Sequence, residues 1–360
     1  MGAVDPRVTE YARLIVERSL GVQPGWQVLI RAQPAARPLI QELIAMIAHR
    51  GAYPLLRMNF SLYPRDEVWA SEAPLELVGE MAPIDLFAAD HMDARITIEA
   101  PDNTRGAAEM SPERRALMTK AAAPFFRRTM TDEIPWVVGQ FPTNALAQEA
   151  GMPLAAFEDY LYGACLRDWD AEAKTMNSLL ARFDRADEVS IVGAETDLKL
   201  SLKGRKGEID DGRVNLPGGE FFYSPVEDSA EGTVYLDLPT EYNGAPVSGI
   251  RFTFRNGRID EASAENGEAE LLAALDIDEG ARFLGELGIG CNTGITQPMR
   301  NIGFDEKMAG TIHLAVGRSY TSVGGKNESA LHWDLVKDLR NGGRIELDGE
   351  VVQENGTWLV

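Results

Sequence analysis

The sequence predicts a mixed α/β chain. An N-terminal α/β domain with parallel strands and flanking helices spans residues 1–187, and a C-terminal α+β domain rich in antiparallel strand spans residues 188–360. Three observations predict it. At 360 residues the chain is long enough for two substantial cores. Its first half alternates short apolar runs with stretches of helical periodicity, the pattern of βαβ units. After about Asp187 that period gives way to residue-by-residue alternation, which suits strands buried on one face.

The elements follow in order. "MGAVDPRVTEYARLIVERSLG" shows no basic-then-apolar signal region and runs from Asp5-Pro6 into an amphipathic helix. Pro6 also stands where a myristoylation motif requires Ser or Thr. "WQVLIRA" (26–32) is an apolar strand. In "RPLIQELIAMIAHRG", Leu39, Ile40, Leu43, Ile44 and Ile47 recur at helical spacing and Gly51 supplies the stop. "PLLRMN" (54–59) is the next strand, so the segment forms a βαβ unit with a right-handed crossover. "ARITIEAP" and "PWVVGQFP" are further strands. Between them "SPERRALMTKAAAPFFRR" starts a helix, with Ser111 as N-cap and Pro112 at the first helical position. Helical stretches at 154–166 and 171–183 complete the half. Beyond residue 187, "DLKLSLKG", "GTVYLDLP", "GIRFTFRNGRI", "GTIHLAVG" and "LHWDLV" all alternate. Asn256-Gly257 between alternating runs marks a hairpin, and helices are expected at 268–275 and 278–285.

Composition narrows the function. With 56 Asp+Glu against 35 Lys+Arg, the formal net charge is −21. Such a field repels nucleic-acid phosphates and anionic membranes but suits a free amine or a metal ion. The two cysteines, Cys165 and Cys291, form no C-x-x-C arrangement, which argues against a disulfide framework and a thiolate zinc site. Apolar stretches such as "PLIQELIAMIA" fall short of a membrane span. A soluble cytoplasmic protein is expected.

Four histidines are present. His49 ends a helix beside Arg50, where it suits the helix C-terminus, and His91 sits in the polar turn "AADHMDAR". His313, in "GTIHLAVG", shares a strand face with the small residues Ala315 and Gly317, which leaves room beside the ring. His332 and Asp334 in "LHWDLV" share a face too, as i and i+2 on a strand. Two glutamates stand in open surroundings. Glu286 precedes Gly288 and Gly290, and Glu220 follows two glycines. Each has a plainer role available, as a satisfied core histidine or a surface carboxylate. Together, Glu220, Glu286, His313, His332 and Asp334 match the ligand count of a two-metal hydrolytic site, in which a bridging water attacks a carbonyl. The mixed oxygen and nitrogen donors suit two divalent ions of zinc, cobalt or manganese. Tyr320, in "GRSYTSVGG", could donate to an oxyanion, or simply be a loop-entry aromatic. Glu306, in "FDEKMAGTIH", could be a further ligand, a proton shuttle or a charged turn residue.

At this point four ordered stretches, "LPGGEFF", "GARFLGELGIGCN", "FDEKMAGTIHLAVGRSY" and "GGKNESALHWDLV", make the chain resemble the aminopeptidase T (thermophilic metallo-aminopeptidase) family, from about Asn215 to Val336. The resemblance implies a homodimeric, dinuclear exopeptidase acting on peptides with a free N-terminus. Its ligands would fall on Glu220, Glu286, His313, His332 and Asp334, with Glu286 as the bridge, and its tyrosine on Tyr320. Only eleven residues separate Tyr320 from His332, fewer than many family members carry. One rival is a non-haem iron ring-opening dioxygenase using His313, His332 and Asp334 alone. Another is a metal-binding protein that does no chemistry.

Overall fold

Asp5 starts the first described helix: its carboxylate accepts the Arg7 amide at 2.9 Å, and α1 (Pro6–Arg13) follows. The structure, a computed structural model, describes residues 5–61, 65–106, 110–131 and 133–359, so the opening "MGAV" read above lies outside the described residues. The chain forms two compact units. One comprises residues 1–166 with 212–217, the other residues 167–211 with 218–360.

In the first unit β1 (Gln27–Ala32), α2 (Arg37–His49) and β2 (Tyr53–Met58) form the predicted βαβ unit, with β1 and β2 parallel. Gly51, at φ +73°, adopts the left-handed conformation that ends the helix cleanly. α3 (Pro83–His91) leads to β3 (Ala94–Glu99), which pairs parallel with β1. Ser111 accepts the Arg114 amide at 3.3 Å and so caps α4 (Pro112–Met130). β4 (Trp136–Gln140) extends the sheet, followed by the short strand Asn215–Leu216, giving the order β2-β1-β3-β4 and then that strand. Val28, Ile30, Ile96, Ile98 and Val137 are buried in it. α5 (Leu154–Cys165) closes the unit.

The second unit begins with α6 (Trp169–Phe183), which is capped by Asp168 and starts two residues before the stretch expected from the sequence. Its described strands form three antiparallel sheets, the smallest a two-stranded ribbon of Thr240–Tyr242 and Ala245–Val247. Eight strands build another, including the hairpin Ile250–Arg255 to Arg258–Ser263, whose turn residues Asn256 and Gly257 both have positive φ. The third has five strands: β5 (Glu208–Asp210), β6 (Glu220–Tyr223), β7 (Leu284–Gly290), β8 (Thr311–Gly317) and β9 (His332–Asp338), in the order β9-β8-β7-β6-β5. α7 (Glu268–Leu275) lies where the period placed it.

The helix expected at 278–285 does not form. A single 3₁₀ turn, Glu279–Arg282, precedes β7, which starts at Leu284. Register shifts between Leu284 and Glu286, so a bulge turns both Leu284 and Leu287 into the core, and their i, i+3 spacing mimics a helix. Gly285 sits at the bulge, where a Cβ would come within 2.5 Å of the carbonyls of Gly317 and Arg318.

The five-stranded sheet presents one face to the core. Phe221, Tyr223, Leu287, Ile289, Ile312, Leu314, Val316 and Leu335 pack there with Phe183, Ile191 and Leu198. At roughly 1.5–3 kcal/mol for each large apolar side chain buried, this face anchors the sheet. The alternate residues face the other way and build the site.

Candidate metal centre

Cross-strand register brings the polar residues together. Residues directly opposite on neighbouring strands share a face. Glu286 stands opposite Ala315, which stands opposite Asp334; Gly288 stands opposite His313; Gly290 stands opposite Glu220; and Gly317 stands opposite His332. Small residues thus alternate with donors, and the space they leave is needed. A Cβ added to Gly288 would lie 1.9 Å from the His313 ring.

The five side chains named from the sequence all point into this space. Glu286 lies between the imidazoles, with Oε1 3.2 Å from His313 Nε2 and Oε2 3.4 Å from His332 Nε2. Asp334 Oδ1 is 3.5 Å from His332 Nε2 and 4.0 Å from His313 Nε2. Glu220 Oε2 is 3.7 Å from His313 Nδ1 and, though buried, has no hydrogen-bond partner. Glu286, His313 and Asp334 each offer a ligand atom within 4.8 Å of the others. Both rings are oriented by main chain: His313 Nδ1 lies 3.2 Å from the Glu306 carbonyl and His332 Nδ1 2.8 Å from the Arg318 carbonyl. A neutral ring that donates through Nδ1 keeps its Nε2 lone pair for a metal. The two other histidines stand elsewhere. His49 ends α2, exposed, and His91 ends a helix rather than occupying a turn, its ring stacked on Phe87.

Tyr320 and Glu306 adjoin the cluster. The Tyr320 hydroxyl is 3.3 Å from His332 Nε2, and its ring packs against Phe222 and His332. Glu306 Oε1 meets the ammonium of Lys307. Lys307 itself escaped the sequence reading, which saw only a charged turn. Its side chain is 0% exposed, with Nζ 2.9 Å from Glu220 Oε1 and 3.7 Å from Asp210 Oδ2. Asp210 was likewise unread; it stands opposite Glu220 on the edge strand β5. Nothing in "DEKM" or "EIDDG" distinguishes these residues from solvated charges.

The electrostatics follow from burial and pairing. Burial disfavours charge on His313, but Glu286, Glu220 and Asp334 outweigh it and raise the ring to about 10. His332 rises against burial to about 9 through Glu286 and Asp334. Glu286, despite burial, is held down at about 2 by the two rings. Burial opposes the charge on Lys307, yet Glu220, Glu306 and Asp210 keep its pKa well above the ordinary value. Burial pushes Glu220 upward, and Lys307 pulls it back.

Two imidazoles and three carboxylates gather on one water-poor sheet face, one of them carrying an orphaned buried oxygen, and such mixed oxygen and nitrogen donors suit a divalent metal. The chain belongs to the thermophilic metalloprotease (M29) family, whose description matches residues 4–358, and so to the metal-dependent hydrolases of peptide bonds. Aminopeptidase 2 of Geobacillus stearothermophilus is 26% identical over an alignment covering 99% of this chain and 99% of that protein. Wild-type AmpT from Thermus thermophilus has the same fold, with a TM-score of 0.86 at 24% identity over 99% of this chain and 100% of that one. The 2,5-dihydroxypyridine dioxygenase from Pseudomonas putida KT2440 shares the fold more loosely, with a TM-score of 0.60 at 15% identity over 98% and 97%.

Proposed function

We propose that this protein is an aminopeptidase that holds two divalent cations on Glu220, Glu286, His313, His332 and Asp334 and removes the first residue of short peptides. The observation that carries the dinuclear reading is Glu286, whose two carboxylate oxygens each face a different histidine. That is how a carboxylate shared between two metals is held. The orphaned Glu220 Oε2 supplies a further donor beside His313. Zinc, cobalt or manganese in such a site would acidify a shared water and polarise the scissile carbonyl.

The chain's own residues do the rest. The Tyr320 hydroxyl, fixed beside His332, is poised to donate to the oxyanion that develops on that carbonyl. Glu306, its side chain 14% exposed, moves the proton to the departing amine. The surplus of carboxylates favours the cationic amino terminus of a peptide. A homodimer in the cytoplasm completes the proposal, and the relative named as an aminopeptidase supports the exopeptidase assignment.

His313, His332 and Asp334 could alternatively hold a single iron, as in a ring-opening dioxygenase. Glu286, wedged between both rings, has no task in that reading. Metal analysis of the purified protein, with free and N-acetylated peptides as substrates, separates the two. Two ions per chain and oxygen-independent cleavage of the free peptides alone are expected. One iron with oxygen uptake, or two ions without turnover, would overturn the assignment.

A further inference from the structure

We infer that Lys307 is a positioning residue: its ammonium occupies one oxygen of Glu220 so that only the other is offered to the metal centre. The inference rests on the dinuclear reading above. Lys307 is wholly enclosed, and its Nζ meets Glu220 Oε1 at 2.9 Å, Asp210 Oδ2 at 3.7 Å and Glu306 Oε1. An ammonium kept out of water needs such partners. They also dispose of Glu220 Oε1, while Oε2 has none, and a buried polar atom without a partner is destabilising unless something else satisfies it.

The main chain holds the same pair from behind. The Lys307 carbonyl accepts the Asn292 amide at 2.8 Å, and the Asn292 side chain donates to the Gly218 carbonyl at 2.9 Å. The Cys291 amide donates to the Gly219 carbonyl at 2.8 Å. Gly219, at φ +110°, lies so close that a Cβ would come within 2.7 Å of Asn292 Cβ. The approach to Glu220 and the backbone of Lys307 are therefore tied through one residue, Asn292. With its stem fixed and one oxygen taken, Glu220 is held as a single-oxygen donor. Without Lys307 it is free to chelate through both oxygens or turn away.

The test is calorimetric titration of Zn²⁺ into the metal-stripped full-length protein, comparing wild type with K307M, K307Q, E220Q and K307M/E220Q. K307M is expected to weaken one of the two ions by about 10- to 100-fold, as loss of an outer partner of a ligand typically does. The double variant should bind no more weakly than E220Q, because both changes act through one contact. K307Q, which keeps a donor and drops the charge, should stay near wild type, and it carries the test if K307M does not fold. Wild-type affinity for both ions in K307M, additive losses in the double variant, or a K307Q as weak as E220Q would overturn the inference alone. A wild-type protein that takes up one ion, unaffected by E220Q and K307M, would overturn it together with the dinuclear reading.

Discussion

The two faces of the five-stranded sheet in the second unit are made by the same strands and obey different rules. On the inner face Leu287, Ile312, Leu314 and Leu335 interlock with the core, and stability is a matter of volume. On the outer face Glu286, His313, His332 and Asp334 are separated by Gly288, Ala315 and Gly317, and what counts is space kept open around charge. Nor does the outer face gain solvation in exchange: Glu286 is 4% and His313 1% exposed. One face stores the stability that lets the other hold an arrangement unfavourable by itself. This division predicts which substitutions should damage function and which should damage only the fold.

The largest effect is expected at Glu286. E286A should abolish peptide hydrolysis, a loss of about 10³-fold or more, and the second ion with it, because neither ring keeps its shared carboxylate. Metal analysis beside an activity assay checks this, and a fully active single-metal variant would count against the bridge. Next is G288A, which alters no ligand and only fills the space beside His313. Activity should fall by about 100-fold, since roughly 1 Å of misplacement has that consequence. The melting temperature should fall as well, which differential scanning measures. Y320F removes a donor without moving the carboxylates and should lower kcat by about 10²-fold with KM little changed, as steady-state kinetics would register.

L314A tests the opposite face. It should lower stability by about 2–5 kcal/mol in a urea titration. Below the melting transition its kcat should match wild type, and a selective loss of activity would blur the distinction between the faces. The smallest effect concerns pH in the metal-stripped protein. His313 and His332 stand at about 10 and 9 when folded, above the ordinary 6.5. Their contribution is therefore complete below pH 6.5 and lost as pH rises through 9 to 10. The urea midpoint should be lower at pH 10 than at pH 7, and an unchanged midpoint would mean that the imidazole–carboxylate pairs contribute nothing to folding.

Much of this was legible in the sequence because strand periodicity assigns faces. Alternation in "GTIHLAVG" and "LHWDLV" put His313, His332 and Asp334 opposite the apolar residues, and the glycines after Glu286 marked an open face. The parallel sheet of the first unit followed from its strand and helix spacing. The bulge at Gly285 defeated the same logic, since a one-residue slip makes a strand look helical. Lys307 and Asp210 were hidden for another reason. A buried ammonium is sustained by carboxylates 87 and 97 positions away in sequence, and no local pattern records such distant partners.

The imidazoles of His313 and His332 are steered by carbonyls, that of Glu306 in the turn before the strand that carries His313 and that of Arg318 directly after it. A carbonyl belongs to every amino acid. Exchanging the side chain at position 318 therefore leaves the acceptor facing His332 Nδ1 in place. The same holds at position 306, where any side chain would leave the carbonyl that faces His313 Nδ1.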